Sequence, residues 1–121
     1  MKYNSAHFVL TGDSSYKDLA PVFPDILNML LGEIGQVPEE EEILQMYIEQ
    51  NMSDLLNDKK PEGYNRKGKV RLIFPMDKKE FYLKSYTKTV DLIALADAVS
   101  DILNEAGISF ETLENDRTSF S

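Results

Sequence analysis

The residue whose type and position most suggest catalysis is Ser14, which follows a glycine and an aspartate just after an apolar strand pattern. A serine at such a turn can act as a nucleophile when a histidine takes its proton. The chain has one histidine, His7, which lies upstream in the predicted strand, and it has no cysteine. Asp13, Ser14 or Ser15 can instead accept a hydrogen bond from the free amides that open the next helix. We therefore interpret Ser14 as a helix cap and predict no catalytic residue.

The block Gly12-Asp13-Ser14 resembles the opening block of the GDSL and SGNH hydrolases, with Ser15 standing where that block has leucine. The resemblance covers three residues and implies a serine served by a downstream aspartate and histidine. No histidine follows Ser14, so the chain departs from that pattern. An enzyme built from carboxylates stays open as an alternative, because acid and base pairs can come together from any part of a fold.

Metal and phosphate chemistry have weak support in the residue pattern. His7 has no second histidine or cysteine at ligand spacing. The run Glu39 to Glu42 offers the oxygens that Ca²⁺ and Mg²⁺ prefer, but consecutive helical residues point in different directions and the calcium-loop pattern is missing. Gly32 and Gly35 stand at the end of a predicted helix, whereas a phosphate-binding loop precedes one. We predict no metal site and no cofactor.

Hydrophobic periodicity predicts the elements that position these residues. Residues 5–11 alternate as a half-buried strand. A short turn at 16–20 and a helix from about 24 to 34 respect the prolines, and Gly35 suits the end of that helix. A further helix begins at Pro38, where the four glutamates lie near the positive end of its dipole. Its inward face is formed by Leu44, Ile48, Met52 and Leu55.

The second half of the chain predicts a β-hairpin and one more helix. Strands at 69–75 and 79–86 follow a polar loop between residues 58 and 68. A helix runs from about 90 to 106, with Thr89 as its N-cap, and "ISFETL" can add a short edge strand. The order β-α-α-β-β-α, with this last strand open, predicts an α+β fold with helices packed on a small, mainly antiparallel sheet.

Length and hydropathy predict one soluble domain. A chain of 121 residues with 42% hydrophobic residues can bury one core, and we assign that domain to residues 1–115. Residues 116–121 are expected to form a flexible tail. The longest apolar run, Leu92 to Ala96, is far shorter than a membrane span, and the N-terminal residues do not form a signal peptide. The sequence therefore predicts a cytoplasmic protein that does not enter a membrane.

The charged residues are segregated along the chain. The net charge is -8, from 13 basic and 21 acidic residues. Residues 1–58 hold 2 basic and 11 acidic residues, residues 59–88 hold 10 and 3, and residues 89–121 hold 1 and 7. An acidic protein therefore contains a basic central segment, which its overall charge does not reveal.

The acidic residues predict a binding surface, because a face of one charge sign attracts a partner of the other sign. In composition this small, acidic, cysteine-free chain resembles immunity proteins, antitoxins and phage-encoded inhibitors that occupy basic sites on nucleic-acid enzymes. We expect this chain to be a non-enzymatic module that binds a protein partner and acts as an inhibitor or immunity-type protein. The residues of this predicted partner-binding set are Glu39, Glu40, Glu41, Glu42, Glu49, Asp97, Asp101 and Glu105.

The basic hairpin supports an alternative function in nucleic-acid binding. Cations interleaved with tyrosines can contact phosphates and stack on bases, although lysines on a hairpin also block edge pairing. The acidic helices would repel a polyanion unless they face away from the hairpin. They could also meet the hairpin of a second copy in a homo-oligomer, or neutralise it within one molecule. The residues of this basic set are Arg66, Lys67, Lys69, Arg71, Lys78, Lys79, Tyr82, Lys84 and Tyr86.

Overall fold

The structure is a computed structural model that describes residues 5–114 apart from 65, 67, 77, 88 and 89. This part of the chain forms four helices and four strands, and the strands make one antiparallel sheet on which helices pack. The predicted α+β class is therefore confirmed. In chain order the elements are β1 (Ser5–Leu10), α1 (Tyr16–Leu19), α2 (Phe23–Ile34), α3 (Glu41–Leu56), β2 (Val70–Ile73), β3 (Glu80–Ser85), α4 (Leu92–Glu105) and β4 (Phe110–Glu114).

The strands form an antiparallel sheet in the order β2-β3-β1-β4. β1 therefore lies between β3 and β4, although the hairpin and α4 separate it from them in sequence. With helices in both crossovers, this is the split β-α-β-β-α-β topology. The register places His7 of β1 opposite Tyr82 of β3 and Leu113 of β4.

One face of the sheet packs against the helices and forms the core. Phe8 of β1 stacks on Phe81 of β3, with ring centroids 5.0 Å apart, and both side chains are buried. α2 contributes the largest buried set, which consists of Phe23, Ile26, Leu27, Leu30, Leu31 and Ile34. Successive side chains of a strand point to opposite faces, so the strand residues next to these core residues in sequence lie on the other face of the sheet. We call this second surface the open sheet face.

The helix ends follow local sequence rules, with two differences from the predictions. Gly35 ends α2 with a φ of 69°, which glycine adopts without steric cost. α3 begins at Glu41 rather than at Pro38, so Glu39 and Glu40 precede the helix. The N-cap of α4 is Asp91, whose Oδ1 accepts a hydrogen bond from the Ala94 amide at 3.1 Å.

The predicted cap at Ser14 is wrong by one residue. Ser15 is the N-cap of α1, and its amide donates to the Asp18 carboxylate at 2.9 Å. The buried Ser14 hydroxyl instead accepts a hydrogen bond from the Ser109 amide at 2.9 Å. Ser14 therefore links the loop after β1 to the residues that lead into β4. Its hydroxyl does not cap α1, because it is bonded to this second chain segment.

Some predictions fall on residues that the structure does not describe. Thr89, the predicted cap, and the tail at 116–121 lie outside the described residues. Within the described part, no helix is both long and apolar enough to span a bilayer.

Candidate functional site

The acidic residues of α3 lie on its solvent-exposed side. Glu41, Glu42 and Glu49 are exposed, and Gln45 and Met46 lie between them. Together these five side chains line a shallow depression of about 470 Å³. Met46 is 46% exposed among these glutamates, so this surface combines negative charge with an apolar side chain.

The acidic residues of α4 form a ridge along one line of the helix. Asp97, Asp101 and Glu105 are all exposed and follow one another at steps of four residues, which places them on the same side. Ile93 continues the line one turn earlier and is 58% exposed. The opposite side of α4 buries its leucines and Val99 against the core. We call Asp97, Asp101 and Glu105 the α4 ridge.

Within the described part of the chain, no lysine or arginine forms an ion pair with the carboxylates of α3 and α4. Neither α3 nor α4 contains a lysine or an arginine. On the sheet, His7 and Glu80 lie within ion-pair distance of each other, at 3.0 Å.

Three described members of the basic set lie apart from one another. Arg66 lies against α3, with its Cζ 5.5 Å from the centroid of the Tyr47 ring. Lys69 lines a cavity of about 400 Å³ that also contains Glu33 and Asp91. Lys79 donates from Nζ to the Ser14 carbonyl at 2.9 Å, near the turn after β1. Lys67 is outside the described residues.

Four members of the basic set do meet on or beside the open sheet face. Arg71, Tyr82 and Lys84 belong to its strands, and Tyr86 follows β3 directly. The Arg71 Cζ lies 4.9 Å from the Tyr86 ring centroid, and the Lys84 Nζ lies 6.0 Å from it. Lys78 precedes β3 and therefore lies near the start of that strand, at the opposite end from Tyr86. α4 packs against β1 and β3 on the other face, so the sheet lies between this group and α4.

The same face holds a polar network that the sequence did not reveal. His7 Nδ1 lies 3.0 Å from Glu80 Oε2, and His7 Nε2 lies 3.1 Å from the Ser5 hydroxyl. In the neutral Nδ1–H tautomer of His7, Nδ1 donates to the Glu80 carboxylate and Nε2 accepts from the Ser5 hydroxyl. The His7 ring also stacks on Tyr82, with centroids 4.5 Å apart. The sequence does not predict Glu80 as the partner of His7, because the register that brings the two together depends on pairing between distant strands.

The order serine, histidine, carboxylate matches the hydrogen bonding of a nucleophilic triad. Ser5 is only 5% exposed, however. A buried polar group needs a hydrogen-bond partner, and this chain of contacts supplies one to each member. We therefore describe Ser5, His7 and Glu80 as a structural network.

A second concave surface lies where α3 meets the loop before β2. Tyr47 and Tyr64 meet edge to face here, with ring centroids 5.7 Å apart. The space beside them has a volume of about 450 Å³. We call this surface the tyrosine groove. Its lining residues are Gln36, Pro38, Glu39, Glu40, Ile43, Tyr47, Tyr64 and Arg66.

The walls of the tyrosine groove are fixed by hydrogen bonds. The backbone of Tyr64 exchanges two hydrogen bonds with Leu72 of β2, at 2.8 and 2.9 Å. Gln36 donates to the Tyr64 hydroxyl at 3.3 Å and accepts from the Lys69 amide at 2.8 Å. Asn51 of α3 binds the backbone of Gly63, next to Tyr64. These contacts hold the loop against α3, so the groove exists without a ligand to order it.

Metal ligands and known relatives give no further guidance. Across the described positions, no three His, Cys, Asp or Glu side chains are grouped as ligands for a metal ion. Comparison with protein-family models, with curated proteins and with solved structures gives no match for this chain.

Proposed function

We propose that this protein is a non-enzymatic cytoplasmic binding module whose acidic helices dock on a basic surface of another protein, as an inhibitor or immunity-type protein does. The observation that carries the proposal is the absence of any described ion pair at the carboxylates of α3 and the α4 ridge. Unpaired charges of one sign produce a field that attracts a basic partner and disfavours acidic ones.

Exposed apolar residues within the acidic surfaces support the same proposal. Met46 lies among the α3 glutamates, and Ile93 lies in line with the α4 ridge. Charged residues at the rim of an interface mainly affect the association rate, whereas desolvated apolar contacts contribute more to affinity. Both kinds of residue are therefore present where a partner would bind.

The test is charge reversal against a purified partner. Partners are first captured from native lysate with and without nuclease, and the recovered protein is then purified. Asp97→Lys, Asp101→Lys and Glu105→Lys are combined in one variant, and Glu41→Lys, Glu42→Lys and Glu49→Lys in another. We expect one of the two variants to bind the partner at least about 100-fold more weakly, since close interfacial charge pairs contribute several kcal/mol.

The matched control reverses three exposed acids elsewhere, Asp13, Glu62 and Glu111, and changes the net charge equally. The control should retain most of the affinity. The α4 variant and the control should keep the thermal stability of the wild type, because surface substitutions cost little. The α3 variant should be somewhat less stable, because Glu41 and Glu42 lie in the first turn of the helix, where its dipole favours anions. Equal binding by both helix variants and the control would show that the acidic helices are not the docking surface.

A second candidate function is single-stranded nucleic-acid binding by the open sheet face. The specific observation is that Arg71, Tyr82, Lys84 and Tyr86 lie on or beside the side of the sheet opposite α4. Cations there can contact phosphates and tyrosines can stack on bases. Anisotropy titration of labelled oligonucleotides should then show affinity that falls steeply with salt and is lost in Lys84→Ala with Tyr86→Ala. Sedimentation of the same samples tests self-association.

A further inference from the structure

The tyrosine groove already holds an arginine of its own chain. The Arg66 guanidinium lies over the ring of Tyr47, at 5.5 Å from Cζ to the ring centroid. Arg66 is exposed and forms no ion pair with a described carboxylate, so this ring contact is its one described interaction. A single exposed contact between a cation and an aromatic ring is weak, and another guanidinium can replace it.

The surroundings of Tyr47 provide the groups that can hold a guanidinium. A planar guanidinium stacks on an aromatic face and donates several hydrogen bonds in a fork. Glu39 and Glu40 are exposed on the rim of the same groove, and their carboxylates can accept those hydrogen bonds. Pro38 and Ile43 add apolar surface beside the ring, against which the aliphatic part of an arginine can pack.

We infer that the tyrosine groove anchors an arginine side chain of a basic partner protein, and that Arg66 holds the same position on Tyr47 in the free protein. This inference rests on the proposed function, because it names the part of the acidic surface that recognises the partner. Arg66 then acts as an internal competitor, and the partner's arginine displaces it when it binds.

The inference is tested with two labelled peptides, octa-arginine and octa-lysine, which carry the same charge. Fluorescence anisotropy at low and moderate salt measures the affinity of each for the full chain. We expect octa-arginine to bind roughly fivefold more tightly, because a guanidinium stacks on tyrosine more favourably than an ammonium group. Tyr47→Leu should reduce this preference to none, whereas Tyr47→Phe should keep it. Tyr86→Leu, at an exposed tyrosine beside the opposite face, is the matched control.

Removal of the internal competitor gives an independent readout. Arg66→Ala should strengthen octa-arginine binding severalfold more than octa-lysine binding. Lys59→Ala removes one exposed cation outside the groove and should strengthen the binding of both peptides equally. Circular dichroism confirms that each variant is folded.

The outcomes separate this inference from the proposed function. Equal binding of the two peptides, or a preference that survives Tyr47→Leu, would overturn the arginine anchor. The proposed function would then still stand if charge reversal on either acidic helix abolishes partner binding. Weaker octa-arginine binding by Arg66→Ala would also overturn the inference, since it would make Arg66 a wall of the groove rather than its occupant. Failure of both peptides to bind at low salt would contradict both proposals.

Discussion

His7 Nδ1 and Glu80 Oε2 lie 3.0 Å apart across two neighbouring strands, although 73 residues separate them in the chain. Both side chains are close to nine-tenths buried, on the face of the sheet opposite the core. Their contact joins β1 to the basic hairpin through side chains as well as through the backbone ladder.

Loss of the Glu80 carboxylate should destabilise the protein. Glu80→Ala leaves the buried Nδ1 of His7 without its acceptor, and we expect a cost of about 1–3 kcal/mol in the free energy of unfolding. Urea denaturation followed by circular dichroism measures it. Glu111→Ala, at an exposed position of β4, should change stability by less than about 0.5 kcal/mol. Similar values for the two variants would show that the buried contact adds nothing.

Two glycines should respond in opposite directions to alanine. A Cβ at Gly63 would lie 2.3 Å from the Leu72 carbonyl oxygen, and its φ is 80°. We expect Gly63→Ala to lower stability by about 1–3 kcal/mol or more, because the backbone must shift and the new residue is strained. Gly32→Ala meets nothing within 4 Å inside α2. It should raise stability by about 0.5–1 kcal/mol. Thermal denaturation of both variants checks the signs, and a stable Gly63→Ala variant would contradict the packing of this loop.

Asn51 should control the order of the loop that carries Tyr64. Its Oδ1 accepts from the Gly63 amide, and its Nδ2 donates to the Tyr47 and Gly63 carbonyls at 2.8 and 3.3 Å. Asn51→Ala removes these bonds at a buried position, and we expect a loss of about 1–3 kcal/mol. Hydrogen exchange of the Gly63 amide should accelerate markedly. Gln50→Ala, at the exposed neighbouring position, should leave that exchange rate unchanged.

Two tyrosines should lose their phenolic protons at a higher pH in the folded protein than in the unfolded chain. Burial raises the pKa of Tyr16 above 10.0, with smaller contributions from Asp58 and Glu80. Burial likewise raises the pKa of Tyr82, with Tyr86 and Glu80 contributing next. The fold favours the neutral phenols, so this contribution to stability is complete below the unfolded pKa. It is lost as the pH rises through the folded pKa.

Ultraviolet titration of tyrosinate absorbance checks this pH dependence. Tyr16→Phe and Tyr82→Phe should each remove one late-titrating phenol from the native curve. The denatured chain is the control, because both shifts require the fold. Native and denatured titration curves that coincide would show that neither phenol is protected.

Local sequence determined most of the elements. Alternation of apolar residues predicted β1 and the hairpin, and Gly35 predicted the end of α2. These features depend on neighbours within a few residues, so their physical causes are present in the sequence itself. The exposed acidic faces of α3 and α4 were predicted for the same reason, since helical spacing fixes which side chains share a side.

Tertiary structure alone decided which distant residues meet. The pairing of β1 with β3 brought Glu80 to His7, and the path of the loop brought Arg66 to Tyr47. The same packing placed three described members of the basic set apart and gave the Ser14 hydroxyl to Ser109 instead of to a helix end. Such contacts depend on strand order, register and loop path, which are set by burial of the whole core. The sequence by itself therefore determined the charged surfaces, and only the fold determined the groove between two of its segments.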